Sequence, residues 1–334
     1  MSLSIGRIVL RNRAILAPMA GITDLPFRRL AARFNAGLTI SEMVASGELL
    51  TRGAGAKARA EIDVASGAAA VQIAGRDGAP MAEAARIAES AGAVLIDINM
   101  GCPAKKVTSG WSGAALMREP DHALRLIEAV VEAVKVPVTL KMRLGWDDDA
   151  LNAPELARRA EMAGVAMITV HARTRAQFYR GSADWSAVAA TRAVVDVPLV
   201  VNGDIVDEAS ARRALLLSGA DAVMIGRGAQ GAPWTPGEIG AALDDSAASP
   251  ARPCGAALME LMLEHYEAML SFYGADLGVR VARKHLTWWL ARLPGGAPLR
   301  ARLMRMTNPA EVIAAIREGA AEATASPAPE RRAA

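Results

Sequence analysis

Gly101-Cys102-Pro103 is the part of this sequence whose residue types could most directly do chemistry. Glycine and proline exclude Cys102 from a helix interior or a paired central strand, so we expect its thiol on a loop just past the preceding apolar run. Lys105 and Lys106 follow, and such cations would favour a thiolate or hold an anionic substrate. Free cysteine also packs like a small hydrophobic residue, so this segment alone leaves a chemical and a structural role equally open.

Length and composition set the class of protein. The 334 residues, 52% of them hydrophobic and 22% charged, describe a folded globular chain with a sizeable core. That length accommodates one barrel of about 250 residues plus a small addition. A net charge of +3 and a pI near 9.1 indicate a mildly basic protein, which is compatible with an acidic partner.

Several classes of protein are disfavoured. Two cysteines cannot form a disulfide framework, which favours a reducing, cytoplasmic location. The sequence has no Cys/His cluster with zinc spacing, so no metal is expected. The N-terminus lacks the features of a signal peptide, and no run approaches about 20 apolar residues, so no membrane span is expected.

Eight short apolar runs predict strands that alternate with helices. The runs are 14–17, 38–40, 69–73, 94–98, 138–142, 167–170, 199–201 and 222–225. Three intervening helical stretches close with glycines suited to a left-handed cap, Gly92, Gly164 and Gly219. Continuous apolar strands are typical of a parallel sheet covered on both faces. Eight such units favour a (β/α)8 TIM barrel over a doubly wound sheet, and we assign it to residues 1–243.

The residues just after the strands define the candidate site, because they converge on the face of a barrel that carries the active site. They are Pro18, Met19, Glu42, Gln72, Asn99, Cys102, Lys141, Arg143, His171, Arg173, Asn202, Gly203, Asp204, Gly226 and Arg227. Glycines after the last two strands match the usual barrel phosphate site, where backbone N–H groups face an anion. A lysine in the barrel mouth is costly without an anionic partner, so Lys141 favours a bound cofactor or substrate anion. His171 is either a hydrogen-bonded core residue or a ligand contact, and we favour the ligand contact.

The composition changes after about residue 244. A linker is expected at 244–255, a small all-helical C-terminal domain at 256–320 and a disordered tail at 321–334. Between Leu277 and Ala310 the chain has seven basic residues and no acidic one: Arg280, Arg283, Lys284, Arg292, Arg300, Arg302 and Arg305. The first three share one helical face, beside Trp288 and Trp289. A solvated face usually mixes both signs of charge, so we favour contact with RNA or DNA.

Other conspicuous residues have structural interpretations. Three arginines of the first predicted helix are expected on a solvated face: Arg28, Arg29 and Arg33. Three further residues fall on predicted helices or linkers and are expected to be structural: His122, His265 and Cys254.

The ordered set of strand-end motifs resembles the tRNA-dihydrouridine synthase family, most closely its bacterial B subfamily with the nitrogen-regulation protein homologues. The matching segments are APMAGITD (17–24), VQIAG (71–75), DINMGCPAKKV (97–107), TLKMRLGW (139–146), HARTR (171–175), NGD (202–204), IGRG (225–228) and RVARKHLTWWL (280–290). The resemblance covers nearly the whole chain to about residue 318. It implies an FMN enzyme that uses NADPH to reduce a uridine of tRNA, with the D-loop as the expected place, to 5,6-dihydrouridine.

Roles for individual residues follow from that resemblance. Flavin contacts fall on Pro18, Met19, Ala20, Gln72, Lys141 and His171, and phosphate contacts on Asn202, Gly203, Asp204, Gly226 and Arg227. The resemblance implies that hydride passes from the flavin to uracil C6 and that Cys102 donates the proton to C5. Substrate contacts fall on Asn99 at the uracil edge and on Lys105, Arg143, Arg173, Arg280, Arg283 and Lys284. A proton donor has to stay protonated, so Lys105 and Lys106 are now expected to face tRNA phosphates instead of the thiol.

Three alternatives remain open from the sequence. An FMN barrel could act on a free small molecule, as dihydroorotate or enone oxidoreductases do. A non-redox barrel could bind a phosphorylated metabolite, or a tRNA-binding protein could have lost catalysis. The oligomeric state is not encoded in these motifs, and a monomer is the working expectation.

Overall fold

A computed structural model describes residues 3–51, 53–67, 69–244 and 251–325 of the chain. It divides into two compact units. The first comprises Met1–Ala229 with Trp234–Pro250, and the second comprises Gln230–Pro233 with Ala251–Ala334. Within the described ranges, no helix is both long and apolar enough to cross a membrane.

The first unit is built around a closed parallel barrel, as the sequence predicts. Its eight strands in the described part of the chain are β3 (Ala14–Leu16), β4 (Leu38–Ala45), β5 (Ala70–Ala74), β6 (Leu95–Met100), β7 (Val138–Arg143), β8 (Met167–His171), β9 (Leu199–Asn202) and β10 (Ala222–Ile225). Each strand pairs with the next along the chain, and β10 closes the barrel on β3. An antiparallel pair that the sequence does not signal, β1 (Ser4–Ile5) and β2 (Ile8–Val9), precedes the barrel.

Helices surround the barrel. They are α1 (Leu25–Arg33), α2 (Ser46–Leu50), α3 (Ala54–Ala60), α4 (Gly78–Ser90), α5 (Lys105–Thr108), α6 (Pro120–Val131), α7 (Ala153–Met162), α8 (Ala189–Arg192), α9 (Glu208–Ser218) and α10 (Thr235–Asp244). Short 3-10 turns lie at Gly113–Arg118, Ser186–Val188 and Arg227–Ala229. Gly92, Gly164 and Gly219 have φ values of 100°, 99° and 65°, so each adopts the left-handed conformation expected where a helix stops before the next strand.

Side chains on the two faces of the strands form separate cores. One cluster, which includes Ile96, Ile98 and Val170, packs against the surrounding helices. The other fills the lower interior of the barrel with Ile15, Ile40, Ala70, Leu95, Met167, Val200, Ala222 and Met224. Because side chains alternate along a strand, the residues two positions further along each strand continue up the interior, and many of these are polar.

The second unit is helical. Its helices are α11 (Gly255–Tyr273), α12 (Ala275–Leu290), α13 (Ala297–Leu303) and α14 (Pro309–Ala325). Helix α14 extends five residues into the segment predicted as a disordered tail, and 326–334 lie outside the described residues. The extension is consistent with the high helix propensity of its alanines. Of the predicted linker, residues 245–250 also lie outside the described residues.

Arg28 corrects the interpretation of α1 as carrying a solvated arginine face. Its side chain is 0% exposed, and its guanidinium donates to the carbonyls of Thr23 at 3.1 Å and of Glu61. Burial lowers the pKa of Arg28 to about 10, an effect that Asp24 and Glu42 oppose. Arg29, by contrast, is exposed and pairs with Asp63. Arg28 therefore ties the start of α1 to the chain that follows α3.

Replacing Arg28 with alanine should lower the free energy of unfolding by about 2–4 kcal/mol, because the buried carbonyl of Thr23 and the carbonyl of Glu61 lose their donor and a fully buried side chain is removed. Arg33→Ala, on the exposed side of the same helix, is the control and should change it by less than about 1 kcal/mol. Urea unfolding followed by circular dichroism measures both. Equal effects of the two substitutions would contradict the structural role of Arg28.

Candidate active site

The polar residues predicted from the strand ends meet inside the upper barrel and at its rim. Strand register places Gln72 beside Asp97, Asn99 beside Lys141, and His171 beside both Arg143 and Asn202. Five neighbouring strands thus contribute buried polar groups to one region. Among the described residues, no cluster of His, Cys, Asp and Glu could hold a metal ion.

A hydrogen-bonded chain runs from the barrel interior to the cysteine loop. Asp97 accepts from Thr139 Oγ1 at 2.6 Å and from Gln72 Nε2 at 2.6 Å. Gln72 Oε1 in turn accepts from Asn99 Nδ2 at 2.8 Å. Asn99 Oδ1 then accepts from the backbone N–H of Cys102 at 2.9 Å, and from that of Gly101 at 3.1 Å. Asn99, predicted at the uracil edge, therefore also holds the loop that carries the thiol.

Asp97 is the buried carboxyl at the inner end of this series of hydrogen bonds, and the sequence analysis assigned it no role. Burial raises the pKa of Asp97, while the hydrogen bonds from Thr139 and Gln72 and the charge of Lys141 act in the opposite direction. Its position two residues before Asn99 on one strand is the sequence signal that places both on the interior face. Asp97 fixes the side-chain orientation of Gln72 and, through it, that of Asn99.

Cys102 lies on a loop immediately after β6, as predicted, and its side chain is half-buried. The carbonyl of Cys102 accepts from Ala114 N at 3.0 Å. Gly113, with φ 59°, lies so close that an added Cβ would come within 2.9 Å of that carbonyl oxygen and 3.2 Å of Cys102 Cβ. The loop is therefore held from both sides, by Asn99 and by the 113–114 backbone. Lys105 and Lys106 are exposed on the short helix α5.

Lys141 is the buried cation of the site. Its side chain is 9% exposed, and within the described residues its one hydrogen-bond partner is Asn202 Oδ1, at 3.3 Å from Nζ. Asn202 is itself fixed, because its Nδ2 donates to the carbonyl of Met224 at 2.8 Å. Burial, followed by the nearby charge of Arg143, lowers the pKa of Lys141 to about 8, whereas Asp97 and Cys102 raise it. A neutral amide compensates a buried ammonium only partly, so the geometry suits an anionic ligand.

His171 is neutral at physiological pH. Burial lowers its pKa well below the usual value, and Lys141, Arg143, Arg173 and Arg227 act in the same direction. A neutral imidazole can donate from one ring nitrogen and accept at the other. His171 therefore offers a hydrogen bond to a ligand without adding charge.

Arg143 and Arg173, both predicted as substrate contacts, are each 1% exposed and are engaged with backbone. Arg143 donates to the carbonyls of Gly101, Thr174 and Phe178, each at 2.8 Å. Burial, chiefly, lowers the pKa of Arg143 to about 10. Through these hydrogen bonds Arg143 joins the cysteine loop to the loop after β8.

Arg173 performs a similar task at the other side of the rim. It donates to the carbonyls of Arg180 at 3.1 Å and Gly181 at 2.7 Å, and it pairs with the carboxylate of Asp204. Arg227 reaches the same carboxylate at 3.1 Å from the exposed rim. Partial burial alone would raise the pKa of Asp204, but the hydrogen bonds from Arg173 and Ala183 and the charges of both arginines together lower it. Asp204, predicted as a phosphate contact, thus links β9 to two arginines.

The two glycines of the predicted phosphate site differ in the space around them. Gly203 has φ 120°, and an added Cβ would come within 2.8 Å of Ala183 Cβ, so only glycine fits there without a shift. An added Cβ at Gly226 would have Met19 Sδ as its nearest neighbour, at 3.7 Å. Pro18 and Met19 are half-buried, and Ala20 is exposed. These segments lie at the ends of β3, β9 and β10, which are neighbours in the barrel.

Aromatic residues at the rim were missed in the sequence, because they lie in loops beyond the strand ends. Tyr179 is 48% exposed, with its ring centroid 5.4 Å from the Arg143 guanidinium and 5.3 Å from that of Arg227. Its ring also meets the edge of His171 at 6.2 Å. Its place shortly after the HARTR segment is the available signal.

The basic residues of the helical unit differ in their accessibility. Arg280 is exposed on α12, and Lys284 is half-buried. Arg283 donates to the carbonyl of Met306 at 3.2 Å, so part of its guanidinium is used within the unit. Trp289 is buried and donates to His265 Nδ1 at 3.1 Å, which makes it a core residue. Arg302 pairs with Glu318 at 2.8 Å, so an acidic residue from α14 meets the basic stretch.

The closed barrel and its polar C-terminal rim define an enzyme of the TIM-barrel class. Residues 15–325 match the family model "Dihydrouridine synthase (Dus)". A "Probable tRNA-dihydrouridine synthase" of Rhodobacter capsulatus is 61% identical over 327 residues, covering 98% of this chain and all of that protein. "tRNA-dihydrouridine synthase B" of Pseudomonas aeruginosa is 45% identical over 318 residues, covering 95% of this chain and 96% of that one. The chain belongs to the dihydrouridine synthase family and is an oxidoreductase.

Solved structures with low sequence identity share the fold. Morphinone reductase in complex with tetrahydroNAD has a TM-score of 0.52 at 18% identity, covering 75% of this chain and 92% of that one. A 2-naphthoyl-CoA reductase complex has a TM-score of 0.55 at 14% identity, covering 71% of this chain and 51% of that one.

Replacing Lys141 with methionine should stabilise the ligand-free protein at pH 7 by about 1–3 kcal/mol, because it removes a buried charge whose pKa is lowered from 10.5 to about 8. Above pH 8 the folded-state lysine becomes neutral while the unfolded chain still binds that proton. Wild-type stability therefore rises and the advantage of Lys141→Met should shrink. Urea titrations at pH 7 and pH 9.5 measure this. A variant less stable than wild type at pH 7 would show that Lys141 is a structural cation.

Proposed function

We propose that this chain is a cytoplasmic enzyme that reduces the C5–C6 double bond of a uridine in tRNA to 5,6-dihydrouridine, with FMN as cofactor, NADPH as reductant and Cys102 as proton donor. The carrying observation is a half-buried thiol at the barrel mouth whose backbone is fixed by Asn99, beside the buried cation Lys141. Family membership and the two tRNA-dihydrouridine synthases with near full-length similarity support the reaction and the substrate.

The site fits a flavin mononucleotide. Lys141, buried and paired with the amide of Asn202, would face the anionic edge of a reduced flavin ring and stabilise it by charge. Gln72 and neutral His171 would supply hydrogen bonds to the ring. Pro18, Met19 and Ala20 would border it.

The phosphate end of the cofactor fits the glycines after β9 and β10. Gly226 has open space on its Cβ side, where the nearest atom is 3.7 Å away, and Arg227 is an exposed cation next to it. Asp204 pairs with both Arg227 and Arg173. The three side chains together carry a net positive charge, which favours an anion beside Arg227. Asn202 would then contribute at both ends of the cofactor. Its side chain would hold Lys141 at the flavin ring, and its backbone would lie beside the phosphate.

Protein residues perform the proton half of the reaction. When bound, FMN would supply the hydride that C6 of the uracil accepts. Cys102 Sγ–H gives its proton to C5 as the new C–H bond forms, and the resulting thiolate recovers a proton from water, which the half-buried side chain can reach.

Asn99 would orient the base. Its Oδ1 and one Nδ2–H are used by the cysteine loop and by Gln72, which leaves the second Nδ2–H for a uracil oxygen. The same side chain therefore fixes both the base and the proton donor relative to each other. The target nucleotide has to leave the tRNA stack to reach a barrel mouth, as in other base-modifying enzymes.

The helical unit would bind tRNA through the basic face of α12, recognising shape more than sequence. Exposed Arg280 and partly exposed Lys284 are its accessible cations, whereas Arg283 is partly engaged with Met306. Lys105 and Lys106, exposed near the cysteine loop, would contact further phosphates.

Cys102→Ala should leave the protein yellow, reducible by NADPH and able to bind tRNA, yet slow dihydrouridine formation by about 10²–10⁴-fold, the usual contribution of a general acid. Cys254→Ala removes the other, exposed cysteine and is the matched control; it should retain full activity. Single-turnover reduction of unmodified tRNA by the pre-reduced enzyme measures both. Wild-type rates in Cys102→Ala would refute the proton-donor role.

The double substitution Arg280→Gln with Lys284→Gln should weaken tRNA binding. It should also make the slope of log K against log salt concentration shallower, by an amount equivalent to up to about two phosphate contacts. Arg317→Gln, on α14 and beside Glu267, changes charge in the same unit and is the control, with a smaller expected effect. Filter binding between about 50 and 200 mM salt gives the slopes. An unchanged slope in the double variant would show that the basic face of α12 does not contact tRNA phosphates.

A further inference from the structure

An alternating stack of tryptophan and arginine side chains lies on three consecutive loops of the barrel rim. The Arg118 guanidinium lies 5.7 Å from the ring centroid of Trp111 and 5.0 Å from that of Trp146. The Arg175 guanidinium lies 4.6 Å from the same Trp146 ring centroid. We call Trp111, Arg118, Trp146 and Arg175 the Trp–Arg ladder. None of its members is needed for the site described above.

The ladder adjoins the cysteine loop. Trp111 is two residues before Gly113, whose position would bring a Cβ within 3.2 Å of Cys102 Cβ. Ala114, the next residue, donates its backbone N–H to the Cys102 carbonyl at 3.0 Å. If the target uridine lies at Cys102, the nucleotide that precedes or follows it in the tRNA would therefore lie near the ladder.

Trp111 has two features that packing does not require. Its side chain is 49% exposed, although indole is the largest apolar side chain. Its φ is 54°, a left-handed conformation that disfavours bulky residues and that glycine would adopt without strain. A strained, exposed tryptophan held by a cation on one face leaves its other surface available for a flat partner.

We propose that the Trp–Arg ladder stacks an unpaired nucleobase of tRNA beside the uridine that is reduced, with Trp111 as the platform. Every base has a π-face that stacks on an indole, and arginine next to the indole strengthens the stack. The exposed indole of Trp111 is a flat apolar surface, which suits the face of a base and not a charged phosphate. This inference rests on the proposed function and adds a second RNA contact to it.

The test compares Trp111→Ala, Trp111→Phe and Trp111→Gly in the full-length, FMN-loaded protein, with unmodified tRNA as the probe. Trp111→Ala should raise the tRNA dissociation constant about tenfold or more, the range of one base–aromatic stack, while Trp111→Phe should stay within about threefold of wild type. Met162→Ala, an exposed apolar residue at the end of α7, is the control and should bind as wild type does. NADPH reduction of the flavin without tRNA should be unchanged in all of them.

Trp111→Gly separates binding from folding. It removes the ring and the strain together, so its urea midpoint should equal or exceed that of wild type while its tRNA affinity falls as in Trp111→Ala. Wild-type affinity in Trp111→Ala and Trp111→Gly would overturn the inference, as would an equal loss in Trp111→Phe. A wild-type protein that neither binds nor reduces tRNA would instead refute the proposed function.

Discussion

The upper half of the barrel interior is lined by polar side chains that are largely buried, and this single constraint organises the site. A buried carboxyl or amide without a partner is costly, so each polar side chain that rises from the apolar lower layer has to meet another. Along β6, Leu95 belongs to the apolar layer, Asp97 to the first polar layer and Asn99 to the second. Asp97 is satisfied from β5 and β7, and the chain of hydrogen bonds that begins there ends at the backbone of Cys102.

The same logic fixes the rim. Arg143 and Arg173 are long cationic side chains whose donors are used on backbone carbonyls of loops that lack regular structure. They connect the loops after β6, β8 and β9 to one another. Lys141 differs, since among the described residues its side chain has one hydrogen-bond partner, the amide of Asn202. Its ammonium can therefore take an anionic ligand as a further partner.

Sequence reasoning located the barrel well, because apolar runs and the left-handed glycines before strands are local signals. The predicted strand at 38–40 was too short: β4 continues to Ala45, past polar residues and an irregular register between Ile40 and Met43 that no simple alternation reveals. The strand-end rule gathered Gln72, Asn99, Lys141, His171 and Asn202, which the structure brings together. It could not show that Arg143 and Arg173 are buried, nor find Tyr179 and Trp111, because loop side chains follow no period. The burial of Arg28 likewise depends on a carbonyl far along the chain, at Glu61.

The central claim is that this fold reduces a uridine of tRNA, and one measurement tests it most directly. Dihydrouridine is mapped at each position of the tRNA pool from cells that lack this protein and from the same cells with it restored. We predict that dihydrouridine is lost from at least one defined position and returns when the wild-type chain is supplied. Unchanged dihydrouridine at every position would contradict it, and would direct the search for a substrate toward small molecules.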